Sequence, residues 1–299
     1  MIRQGGDDLD DDFVLDELVA VSEDENVHLA DGDDVGALLS ADEEGDMTSV
    51  HAAADQGVTE KKRKRRAKER ERKAKKRKLT MSEGPVEAPS VASQSPGVLA
   101  DCLSSMQAKT FSKMSSIELA DIQIPESSIV DTTQWTDSRN LDFLVDFISK
   151  ILPTLRVRLS QRPKSKGAPT LLFVAGAALR VADVTRILKD ENLRGKKGGE
   201  VAKLFARHIK LEEHVTYLKR TKIAAAVGTP GRLGKLLCDT DALSTSALTH
   251  VLLDVSYRDA KNRNLLEIPE TRDEVFKTVL GAPKVLQGLR QGKIQLVFL

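Results

Sequence analysis

Between residues 141 and 299 the apolar positions alternate between two periods. Leu141, Leu144, Val145, Ile148, Ile151 and Leu152 recur at three- and four-residue steps, which predicts a helix over 141–159, kinked or ended by Pro153. Residues 170–176 (T-L-L-F-V-A-G) form a continuous apolar run with the length of an interior parallel strand. Helical spacing returns over 178–189 through Leu179, Ala182, Val184, Ile187 and Leu188. A Gly/Lys loop at 195–199 precedes a short strand at 201–208 and a helix at 211–220. Residues 223–227 read as a buried strand that stops at Gly228-Thr229-Pro230-Gly231, and 232–237 resume helical spacing with Pro230 in the opening turn. A strand at 248–255, helices at 270–281 and 283–290 and a last strand at 294–299 complete the pattern. Strands alternating with helices predict βαβ units, hence an α/β domain with one parallel sheet flanked by helices.

The pattern fades upstream. Residues 79–109 are rich in Ser, Pro, Ala and Gly and read as a linker, which places the start of the folded domain near residue 110. Residues 1–60 are crowded with Asp and Glu, have Arg3 as their one basic residue, and read as an acidic disordered tail. Residues 61–78 reverse the sign, with 14 Lys or Arg against two Glu. The densest groups are Lys61, Lys62, Arg63, Lys64, Arg65 and Arg66, then Lys75, Lys76, Arg77 and Lys78. A formal net charge of +1 therefore conceals two opposed blocks. Such a basic cluster suits an acidic nuclear-import receptor and counter-ion release on a nucleic-acid backbone, and it predicts nuclear or nucleolar residence.

Other classes are disfavoured. Cys102 and Cys238 are far apart and suggest no disulfide framework, and no apolar run approaches about 18 residues, so neither secretion nor membrane insertion is expected. His208 and His214 lack companion ligands, so no metal is expected. Aromatic residues make up 4% of the chain, which argues against a base-stacking platform.

The candidate chemistry gathers at the turn after 223–227. Thr229, the backbone N–H groups around Gly231 and the guanidinium of Arg232 would meet at the carboxyl end of a strand and the start of a helix, a setting suited to a phosphate. A plain β-turn-α connection is the competing reading.

V-G-T-P-G-R-L at 227–233 resembles the T-P-G-R element of DEAD-box RNA helicases, which in that family touches the RNA sugar-phosphate backbone. By order along the chain, F-V-A-G-A-A-L-R at 173–180 stands where the family has P-T-R-E-L, and V-L-L-D-V-S-Y at 251–257 stands where it has V-L-D-E-A-D. I-Q-L-V-F-L at 294–299 stands where a strand leads into S-A-T. The resemblance covers about residues 110–299 and implies a single RecA-like domain similar to the first helicase domain. It also implies RNA contacts at Thr229, Gly231 and Arg232, with Arg180, Lys222 and Lys235 adding charge around them.

The departures remove the chemistry. No glycine-rich phosphate loop precedes Leu141, Val255 stands where the water-polarising acid would be, and Tyr257 replaces the final Asp, leaving Asp254 as a structural remnant at a strand end. No catalytic residue and no cofactor are expected. V-L-L-D-V-S-Y-R-D-A-K-N-R-N-L-L-E-I-P-E at 251–270 and A-A-L-R-V-A-D-V at 177–184 resemble instead the Cms-one family of degenerate DEAD-box-like proteins. That resemblance implies a non-catalytic assembly factor of the nucleolar small-subunit precursor. Its expected partners are pre-ribosomal RNA and small-subunit processome proteins, the alternative being a protein–protein scaffold with no specific RNA contact.

Overall fold

Five strands alternate with helices, as the periodicity predicts. The structure is a computed structural model and describes residues 90–299. The expectations for the acidic tail and for the basic cluster at 61–78 lie outside the described residues.

The strands are β1 (Leu171–Val174), β2 (Glu200–Leu204), β3 (Ile223–Gly228), β4 (His250–Leu253) and β5 (Gln295–Phe298). They form one sheet in the order β2-β3-β1-β4-β5 with every pairing parallel. Helices α1 (Pro96–Thr110), α2 (Ser116–Ile122), α3 (Leu144–Ile151) and α4 (Pro153–Leu159) precede the sheet. Then α5 (Ala178–Leu188) and α6 (Glu191–Arg194) join β1 to β2, α7 (Leu211–Arg220) joins β2 to β3, and α8 (Pro230–Cys238) joins β3 to β4. The β4–β5 connection carries α9 (Pro269–Glu274), a π-helical stretch (Val275–Val279) and α10 (Pro283–Arg290).

Because successive strand residues face opposite sides, the all-apolar β1 sequence feeds two cores. Leu171 and Phe173 pack with Phe147 and Ile148 of α3, Leu155 of α4 and Val181 and Val184 of α5. Leu172 and Val174 pack with Leu218 of α7, Leu233 and Leu236 of α8 and Val285 and Leu289 of α10. Each fully buried Leu, Val or Phe of this kind contributes about 1.5–3 kcal/mol of hydrophobic transfer free energy. From β1 the chain moves toward β3 and β2, and it later resumes at β4 on the other side. The β1–β4 crevice is thus the topological switch point of the sheet, the place where open α/β sheets hold ligands.

The break expected at Pro153 falls at Leu152 (φ −121°, ψ 56°), and 141–159 is a 3-10 turn, then α3 and α4, because Pro153 opens a new helix. Two other expectations change. The strand foreseen at 201–208 ends at Leu204. Residues 91–109, read as linker, are folded: Leu99 and Leu103 of α1 are buried in the core with Ala92. Their four-residue spacing sits among Ser, Ala and Gly, which left the stripe too thin to register in the sequence.

Candidate nucleic-acid interface

Thr229 caps α8. Its N–H donates to the Leu204 carbonyl of β2 at 3.0 Å and its own carbonyl accepts from the Leu233 N–H, so the β3 exit is locked to β2 and to the first helical turn. Pro230 follows at the first helical position, where its fixed φ suits the turn. Thr229, Gly231 and Arg232 are brought together as expected, but they face inward.

Arg232 is 5% exposed. Its guanidinium donates to the Ile209 carbonyl at 3.1 Å and to His214 Nδ1 at 3.2 Å, since a guanidinium has no lone pair to accept with. His214 is fully buried on α7, and burial first, then the neighbouring Arg232 charge, push its pKa down to about 3. The imidazole is neutral and the Arg232 side chain braces α8 against α7.

Gly231 is occupied too. Its N–H hydrogen-bonds to the Glu274 carboxylate, so an internal anion sits at the start of α8, where a phosphate was expected. A Cβ on Gly231 would lie 2.6 Å from Glu274 Oε1, so a larger residue there would make the carboxylate shift. Burial raises the Glu274 pKa, against the lowering effects of the Gly231 N–H and the Lys235 charge. Lys235 is half-buried on the same helix, near that carboxylate.

Arg180 is the best-placed of the remaining candidates and is fully engaged. Nε lies 2.6 Å from Asp254 Oδ2, Nη2 donates to Asp254 Oδ1 at 3.2 Å and to Ser256 Oγ at 2.9 Å, and the guanidinium lies 5.3 Å from the Tyr257 ring centroid. Ser256 Oγ and the Tyr257 N–H complete the shell of Asp254 Oδ1. The switch-point crevice is therefore closed by a salt bridge from the start of α5 to the end of β4.

Lys222 does not flank the turn. It precedes β3, and seven residue steps at about 3.3 Å each set it about 23 Å from Thr229, at the opposite edge of the sheet. Sequence spacing hid this because a strand separates its two ends as far as it is long.

Ahead of Leu141, Val130 donates to the Leu296 carbonyl and extends the sheet edge beside β5. The segment that follows, 131–140, contains no glycine. Buried Arg139, which sequence reasoning did not single out, pins it by donating to the carbonyls of Thr132 (2.8 Å) and Phe298 (3.2 Å). Glu274 also escaped notice, because its partner lies 43 residues away in sequence. Cys238, read as a small core residue, is exposed at the end of α8. Among the described residues no three His, Cys, Asp or Glu side chains converge as metal ligands, and no helix is long and apolar enough to cross a membrane.

The protein named CMS1 from Chaetomium thermophilum is 38% identical over 185 residues, covering 62% of this chain and 72% of its own. Protein cms1 of Schizosaccharomyces pombe is 32% identical over 69% of this chain and 70% of its own, and human CMSS1 is 32% identical over 61% of each. Among solved structures, a DEAD box protein of Methanococcus jannaschii overlaps 54% of this chain and 37% of its own at 15% identity (TM-score 0.33). The yeast DEAD-box splicing factor Prp28 overlaps 55% and 34% at 16% identity (TM-score 0.32), so the matched part spans about a third of either of these chains. The model of one protein family, CMS1, described as a U3-containing 90S pre-ribosomal complex subunit, matches residues 45–299. With most of its length under that match, the chain belongs to the CMS1 family.

Proposed function

We propose that this chain is a non-catalytic assembly subunit of the nucleolar small-subunit precursor, binding RNA through its backbone charge. The observation that carries the non-catalytic part is the state of Asp254. Both carboxylate oxygens are taken by Arg180, Ser256 and the Tyr257 N–H, so a metal would have to displace a buried ion pair. The segment 131–140, held by Arg139 through the Thr132 and Phe298 carbonyls, has no glycine to cradle phosphates, and phosphoryl transfer without such a cradle has no means of neutralising developing charge.

The cluster at 61–78 is the principal RNA contact in this reading and the signal read by the import receptor. The turn at 229–232 is a second contact, through Gly231 and Lys235, available to a phosphate only when Glu274 yields its place. Reversing the charges of 61–78 in the full chain tests the reading. RNA affinity and nuclear accumulation should both fall, and unchanged values for both would refute it.

A protein–protein scaffold is the second reading, favoured by the inward guanidinium of Arg232 and by α2, which buries none of its residues and leaves Ile117 76% exposed. Recovery of precursor proteins with no RNA crosslink on this chain would select it.

A further inference from the structure

In an all-parallel sheet the loops leading into the strands share one edge. Here those entering β1, β2 and β3 carry Arg162, Lys164 and Lys166, then Lys196 and Lys197, then Lys222, all exposed, with no acidic residue among them. Asp239 and Asp241 open the loop entering β4, and Lys293 stands in the loop entering β5. The loops are tied together by Gly167, whose N–H donates to the Thr221 carbonyl at 3.0 Å and whose carbonyl accepts the Ser244 N–H at 2.7 Å. Lys166 and Lys222, each next to one of these partners, thus adjoin the β4 entry loop.

That loop and α10 form the walls of a cavity of about 550 Å³, lined by Arg158, Lys284 and Lys293 and by Thr245, Ser246 and Thr249. No carboxylate lines it, and none of the three cations is in an ion pair among the described residues. Gln287 and Gln291 add amide donors. The apolar liners Leu248 and Ile294 are buried in the core and offer no anchor to a partner's apolar side chain.

We infer that this amino-terminal edge of the sheet is a second RNA surface, with the sugar-phosphate backbone running in the cavity between α10 and the β4 entry loop. Unopposed cations beside hydroxyl and amide groups suit phosphate oxygens and ribose 2′-hydroxyls, and they carry no sequence preference. An acidic protein would match the charge but would lack an apolar foothold. The site extends the RNA-binding reading while using none of the residues of the basic cluster or of the turn.

The test compares three full-length proteins binding a short oligouridine RNA over a salt series. These are the wild type, a cavity variant (Arg158→Glu, Lys284→Glu, Lys293→Glu) and a variant with 61–78 charge-reversed. The cavity variant should lose at least tenfold in affinity at moderate salt, and its log–log salt slope should shrink by about 2, at roughly 0.7 per lost phosphate contact on a single strand. Because all three residues are exposed, its melting temperature should stay at the wild-type value. Lys284→Arg with Lys293→Arg should keep wild-type binding. A cavity variant that binds like wild type while the cluster variant fails would overturn this inference and leave the tether standing, and the reverse pattern would support the inference and remove the tether. Polyglutamate competing as well as RNA at equal charge would overturn the RNA assignment in favour of an acidic protein.

Discussion

Arg180 reaches from the first turn of α5 to Asp254 at the end of β4, with Nε 2.6 Å from Oδ2, and closes the crevice between β1 and β4. Asp254 is fully buried and the Arg180 side chain is 14% exposed, so neither charge can be abandoned cheaply. The pair fastens the start of α5 to the end of β4.

Breaking that fastening should be costly. Asp254→Ala leaves the Arg180 charge poorly compensated and is expected to lower the unfolding free energy by about 3–5 kcal/mol, whereas replacing both residues with leucine should cost much less. Urea unfolding of the two single variants and the double variant measures the coupling, and additive losses would show that the pair is not coupled.

The same closure predicts that the protein neither hydrolyses ATP nor binds it with magnesium, with or without RNA. Equilibrium binding of labelled nucleotide to the full chain checks this. Saturable binding that vanishes in Asp254→Asn would mean that the ion pair opens for a metal.

Acid should destabilise the fold through two histidines. Burial first, then the Arg232 charge, lowers His214 to about 3, and burial first, then the Arg158 charge, lowers His250 to about 4, against an ordinary 6.5. Between those values and 6.5 the unfolded chain binds protons that the folded chain does not. Stability is therefore full above about 6.5 and falls with pH below it, by up to about 1.4 kcal/mol per unit for each histidine. Urea midpoints at pH 7 and pH 5 should differ accordingly, and His214→Gln with His250→Gln should flatten the dependence.

Glu274 works in the opposite sense. Its pKa is raised, so its burial weighs against the fold once the carboxyl ionises, and the cost grows as pH rises through the folded value. Glu274→Gln should raise the urea unfolding midpoint at neutral pH. It should also strengthen RNA binding several-fold if the Gly231 N–H is a phosphate site, and a stabilised variant with unchanged RNA affinity would exclude the turn as a contact. Gly231→Ala, whose Cβ would meet Glu274 Oε1 at 2.6 Å, should push that carboxylate off the start of α8, and a Glu274→Ala background should remove its effect on stability.

The residues themselves determined the layered α/β architecture, because the buried strands β1, β3 and β4 stand out as apolar runs and most covering helices as a three-to-four spacing, both local properties of the chain, whereas α1, with only Leu99 and Leu103 in its stripe, did not. They also determined the missing phosphate loop and the juxtaposition of Thr229, Gly231 and Arg232, which are neighbours along the backbone. The tertiary structure decided which way those groups point. Arg232 turns to His214, 18 residues back, Arg180 to Asp254, 74 residues on, and Gly231 meets Glu274, while Lys222 moves to the far edge with cations from three other loops. A charge is used where its partner sits, and partners at such separations are set by how strands order within the sheet, which no local pattern encodes.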